Sequence, residues 1–198
     1  MKTLLFAVAV LLIFSYTRLH VPGQNSPLQP AYDLQVAEAD IRSADDVRIG
    51  FARLESLGGS VRITIQVEKL TPGFHGVGIY GSGVCEAPDF RSAGFIFNPD
   101  GRPHGHENPR GPANGDLGNI FVDDQGYGTL EFSTSSLALD DSTISVLRSG
   151  GTSVVIHEAA DDGVSQPVGN SGARVACGVI SRKVGSLSAT TVSSIPRS

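Results

Sequence analysis

From Val61 to Val67 the chain reads VRITIQV, with Val61, Ile63, Ile65 and Val67 on one face and Arg62, Thr64 and Gln66 on the other. Strict period-two alternation marks a strand with one buried face, so this stretch predicts a half-buried β-strand. VRIGFARLES, GTLEFSTS, STISVLR, SVVIHEA and ARVACGVIS share its β-branched and apolar content, and turn signals such as DDQGYG separate several of them. HGVGIYGSGVC, from His75 to Cys85, predicts a buried strand that leads into a cysteine. No window carries a sustained helical period. Short strands, long connections and 24 glycines point to an antiparallel sandwich or flattened barrel. One region breaks the rhythm: Cys85 to Gly118 is rich in Gly, Pro, Asn and His and too long for a turn, as functional loops are.

The chain has 198 residues, 40% of them hydrophobic, enough for one domain with a sizeable core. Fifteen Lys and Arg against 20 Asp and Glu leave a net charge of -5, which argues against a nucleic-acid footprint or an anionic membrane surface as partner. The start, MKTLLFAVAVLLIFSY, has the form of a secretory signal. Its apolar run from Leu4 to Tyr16 falls short of the roughly 20 residues that cross a bilayer, and without an A-x-A site an uncleaved anchor is the alternative. Residues 1–30 are therefore assigned to a leader or anchor with its linker, 34–182 to the domain and 183–198 to a flexible, Ser/Thr-rich tail. Membrane tethering, if any, would run through the N-terminal segment alone. Export makes a bond between the two cysteines, Cys85 and Cys177, the expected pairing, with free thiols as the alternative. In the chain-entropy account a loop of that length is worth about 4 kcal/mol.

CEAPDFRSAG, FNPDGRPHGHENPRGPANGDLGN, VVIHEAADD and GNSGARVACGV, in that order, resemble the copper/zinc superoxide dismutases of the bacterial extracytoplasmic type. The resemblance spans about Asp40 to Ile180. It implies an all-β, eight-stranded Greek-key β-barrel, one Cys85–Cys177 disulfide and an extracytoplasmic location, and it is compatible with a homodimer.

Such an enzyme holds copper on neutral imidazoles with one position left open, and zinc beside it on imidazoles and a carboxylate. The family's copper strand reads His-Gly-Phe-His-x-His; here it reads His75, Gly76, Val77, Gly78, Ile79, Tyr80, so that Gly78 and Tyr80 stand at two copper positions. In SAGFIFNP the position of the histidine that bridges the two metals is Ile96, and the third zinc histidine falls on Ala113. His104 and Asp116 match two zinc ligands and His157 the fourth copper ligand. Asp161 matches the carboxylate that orients the metal-bound imidazoles. Arg174 matches the arginine that guides the anion, and His75 a non-ligand histidine that donates to backbone. The loop DGVSQPVG, Asp162 to Gly169, stands where the family steers its anion and contains no Lys or Arg. These matches imply a catalytically inactive homologue without copper, with a binding or structural role. The alternative is a dismutase or metal-binding protein that recruits zinc or copper through a non-standard ligand set including His104, His106, Asp116, Tyr80 and His157; a weak zinc site on His104, Asp116, Asp161 and His106 is one form of it.

Overall fold

The computed structural model describes residues 34–183; the leader, the linker and the tail beyond Lys183 lie outside them. Nine strands are formed: β1 Val36–Ser43, β2 Arg48–Leu57, β3 Ser60–Val67, β4 Gly73–Tyr80, β5 Asp116–Val122, β6 Gly128–Thr134, β7 Ser153–His157, β8 Arg174–Val179 and β9 Ser181–Lys183. All pairings between them are antiparallel, in the order β2-β3-β6-β5-β4-β7-β8-β1-β9, and β1 also pairs with β2. The sheet thus closes on itself as an eight-stranded barrel. The ninth strand is not a ninth stave: β8 and β9 meet β1 in one register, Arg42 opposite Cys177 and Glu38 opposite Ser181, and form one stave interrupted near Ile180. In the order β3-β6-β5-β4 a strand lies beside the far end of the three that follow it, which is a Greek key.

The alternation of β3 is realised: Val61, Ile63, Ile65 and Val67 are buried while Arg62 and Gln66 face solvent. Ile41, Leu54, Ile120 and Ile156 meet them from β1, β2, β5 and β7 in one core. A fully buried aliphatic side chain contributes about 1.5 to 3 kcal/mol, so this interior carries most of the stability.

Two strands were not expected, and one expected strand is absent. β1 was hidden because its buried face carries little more than two alanines and Ile41, with Glu38 and Asp40 on the other, and β5 because Asp116 and Gly118 open it inside the stretch read as a loop. STISVLR, by contrast, is turn rather than strand; its lone bridge, from Ser145 to Ala138, joins two residues outside the strands. Its apolar Val146 is fully buried and packs with Leu137 and Leu139 as part of the core. The segment is apolar because it covers the barrel, not because it pairs. Lys183, assigned to the tail, closes β9 opposite Val36 and reaches Glu38 at 2.8 Å.

The long connection between β4 and β5 is anchored at both arms. Cys85 is bonded to Cys177 of β8, 92 positions away. Further along, three amides and three carbonyls form a closed ring: Ile79 donates to Gly115, Gly115 to Phe97 and Phe97 to Ile79, each at 2.8 Å. A side chain at Gly115 would begin 2.3 Å from the Ile79 carbonyl oxygen, so only glycine admits this approach. Both arms of the loop are thereby pressed onto the end of β4.

Candidate functional site

β4, β7 and β8 are adjacent staves, and two side-chain clusters form where the loops cover their outer face, the one that carries Tyr80, Val155 and Cys177 away from the barrel core. The first is built on His157, the last residue of β7. Its Nδ1 lies 3.1 Å from the Gly172 carbonyl, which can only accept, so Nδ1 carries the proton and Nε2 presents a lone pair. The Tyr80 hydroxyl donates to that lone pair at 2.7 Å. Burial holds the His157 pKa below its ordinary value, which suits a neutral acceptor. Burial also pushes the Tyr80 phenol up to about 12, so it stays protonated and remains the donor. Arg174 lies over the Tyr80 ring, 4.5 Å from its centre, and donates to the carbonyls of Phe90 and Gly94, both at 2.7 Å.

Ile96 completes this cluster. It pairs with Tyr80 through an isolated bridge, and its Cδ1 would lie 2.6 Å from a Cβ built on Gly78. The isoleucine fills the room that a side chain at Gly78 would take. The two substitutions are steric counterparts.

The second cluster centres on His104. Its Nδ1 is 2.7 Å from Asp116 Oδ1 and its Nε2 is 3.0 Å from Asp161 Oδ1. Burial opposes charge on this ring, but the hydrogen bonds to both carboxylates outweigh it and raise the pKa to about 9. His104 is therefore an imidazolium at neutral pH, with both N–H groups donated and no lone pair free. Asp116 accepts two more bonds at Oδ2, from the amides of Gly105 and Ala113. Asp161 also accepts from the Gly163 amide, and the His104 bond helps hold its pKa below the usual carboxylate value against the effect of burial.

The structure thus brings His104, Asp116 and Asp161 together, and separately Tyr80, His157, Ile96 and Arg174. Ala113 contributes only its amide to the first group. His106 turns away: its ring meets Phe132 edge-on and its Nε2 lies 3.2 Å from the Asp116 backbone oxygen. His75 spans backbone, 2.7 Å from the His157 carbonyl and 2.8 Å from that of Thr71. Between the two clusters the free space is about 10 Å³, no more than the threshold for a single water. Among the described residues no group of three or more His, Cys, Asp or Glu is arranged to hold a metal ion.

Two residues absent from the sequence reading fix the second cluster. Gln166 clamps the His104 backbone, accepting from its amide at 3.0 Å and donating to its carbonyl at 2.8 Å. Asn119 does the same for Asp161, at 2.7 and 2.8 Å. Their partners lie 62 and 42 positions away, and no local pattern signals such pairing.

The fold and the site have known counterparts. The family described as copper/zinc superoxide dismutase matches residues 48–180. A superoxide dismutase [Cu-Zn] of Aquifex aeolicus is 38% identical over 149 residues, covering 73% of this chain and 85% of its own. The superoxide dismutase-like protein YojM of Bacillus subtilis is 39% identical over 135 residues, covering 67% and 69%. A crystal structure of a SOD-like protein from Bacillus subtilis superimposes with a TM-score of 0.69 at 36% identity, over 72% of this chain and 96% of that one. Barrel, disulfide and sequence agree, and the chain belongs to the copper/zinc superoxide dismutase family.

Proposed function

We propose that the chain is an exported, catalytically inactive member of this family, its metal centre replaced by packing and an internal ion pair, and its role one of binding or structure. The observation that carries the reading is the 2.7 Å bond from the Tyr80 hydroxyl to His157 Nε2. It takes the lone pair that a metal would need, and a phenol with a pKa near 12 is a poor ligand at neutral pH. Gly78 and Ile96 supply no donor, and the space between the clusters is too small for a hydrated ion with an open position. The residues present do not fit copper. The disulfide and the apolar N-terminal run support export, with a membrane tether confined to that run.

The first test is elemental analysis of the full chain after reconstitution with copper and zinc, beside a superoxide dismutation assay. No copper and no activity are expected. Near-stoichiometric copper with turnover would sink the proposal. The reverse experiment combines Gly78→His, Tyr80→His and Ile96→His. Because Ile96 and the Gly78 side-chain space exclude each other, the triple variant is expected to take up copper where Gly78→His alone does not.

A second reading, a zinc-binding protein, rests on the chemistry of His104, Asp116 and Asp161, residue types that suit zinc, and requires them to rearrange, because the two carboxylates now occupy opposite nitrogens of one ring. Zinc must displace the His104 protons, so uptake would strengthen steeply from pH 6 to 9. Pulling zinc-loaded and zinc-free samples apart by their thermal midpoints across that range decides it.

A further inference from the structure

Above the Tyr80–His157 pair lies an open cavity of about 470 Å³, within the range of sites for small organic ligands. One wall is the disulfide-anchored loop, with Pro88, Phe95 and Ile96; the other is the connection before β8, with Pro167 and Val168; Arg174 lines it with Tyr80. We infer that this cavity binds a small organic monocarboxylate with an aromatic or branched apolar body. The inference rests on the metal-free reading of the site, because Tyr80 forms part of the wall.

Charge selects the acid. Arg174 spends two of its five donors on the neutral carbonyls of Phe90 and Gly94 and makes no ion pair among the described residues. The cavity's other arginine, Arg91, is matched by Asp89 at 3.2 Å. The lining therefore carries one uncompensated positive charge. A neutral ligand would cover that guanidinium without answering it, which costs binding energy.

The apolar walls select the body. Phe95 is 83% exposed at the cavity, a large hydrophobic surface left uncovered. Ile96, Val168 and the two prolines continue it. A bare inorganic anion would leave this surface wet and lose its own hydration for a single cation. The floor offers nothing further to a small polar ligand: the Tyr80 hydroxyl is committed to His157, and both His157 nitrogens are engaged.

The site is also preorganised. Arg174 ties Phe90 and Gly94 to β8, and Ile96 is bridged to Tyr80. Little ordering remains to be done on binding, which favours measurable affinity for a ligand of modest size.

The test is a titration of the full chain, stripped with EDTA, followed by amide chemical shifts. The probes are 3-phenylpropionate, its neutral counterpart 3-phenylpropanol, and inorganic phosphate. Saturable binding of 3-phenylpropionate at one site is expected, with the alcohol weaker by about tenfold or more, the scale of one charge-assisted hydrogen bond. Phosphate at equal concentration should not displace the acid. Phe95→Ala is expected to weaken binding several-fold while keeping the thermal midpoint, and Val168→Glu to abolish it. Equal affinity for acid and alcohol, displacement by phosphate as strong as by the acid, or no saturable shift up to about 10 mM would each overturn the inference. Metal content of the same samples separates the two proposals: copper uptake removes the metal-free reading, whereas a copper-free chain that ignores the acid removes only this one.

Discussion

The Tyr80 hydroxyl and His157 Nε2 satisfy each other in a buried position, so removing one partner leaves the other stranded. Tyr80→Phe is expected to cost about 1 to 3 kcal/mol in urea unfolding, the usual penalty for an orphaned buried acceptor. An unchanged midpoint would mean that the bond contributes nothing. Ser153 gives the opposite case: its buried Oγ has no partner. Ser153→Ala should be neutral or stabilising by up to about 1 kcal/mol, and a clear loss of stability would reveal a partner for that hydroxyl. Gly78 and Ile96 form a third pair. Gly78→Ala should destabilise alone and much less beside Ile96→Ala, a coupling that a double-mutant cycle reads directly. At this scale the family pattern made His104, Asp116, His157, Asp161 and Arg174 legible in the sequence. It did not make legible what they do now. The imidazolium between two carboxylates arises because two aspartates converge on one ring after folding, and Gln166 and Asn119 enter from strands and loops far along the chain.

Among the elements, β3 was readable because one of its faces is buried and the other wet, which is the condition that produces alternation. β4 gave a weaker signal: His75 through Tyr80 are all buried, so its pattern is continuous rather than alternating. β5 was unreadable for a different reason, since its first residues serve the site and carry Asp and Gly. STISVLR misled because burial without pairing leaves the same apolar trace as a strand. The loop from Cys85 to Gly115 is held by three devices: the disulfide, the Arg174 bonds and the backbone ring of Ile79, Phe97 and Gly115. Replacing both cysteines by serine should therefore lower stability by up to about 4 kcal/mol without freeing the distal arm. The amides of Phe97 and Gly115 are expected to keep slow hydrogen exchange in that variant. Rapid exchange there would show that the covalent bond alone anchors the loop.

For the whole molecule the two histidines set opposite limits on pH. The His104 pKa is raised from 6.5 to about 9, so the stability it contributes is complete below pH 6.5 and is lost as pH rises through 9. That of His157 is lowered, so its contribution is present above pH 6.5 and fades as acid protonates the unfolded chain more readily than the folded one. Between these two residues, stability of the metal-stripped chain should peak near pH 6.5. The alkaline loss should amount to about 3 kcal/mol at most, and His104→Gln should flatten that limb in urea titrations at pH 6, 8 and 10. The barrel as a whole was legible from strand signals and family motifs together, whereas its closure through the interrupted β8–β9 stave is a matter of register that composition does not carry. The ion pair at His104 has a consequence beyond stability. On the metal-free reading proposed above, an interior completed with a proton taken from water needs no delivery of scarce cations to finish folding. The protein's yield should follow synthesis alone, the same in metal-starved and metal-replete cultures.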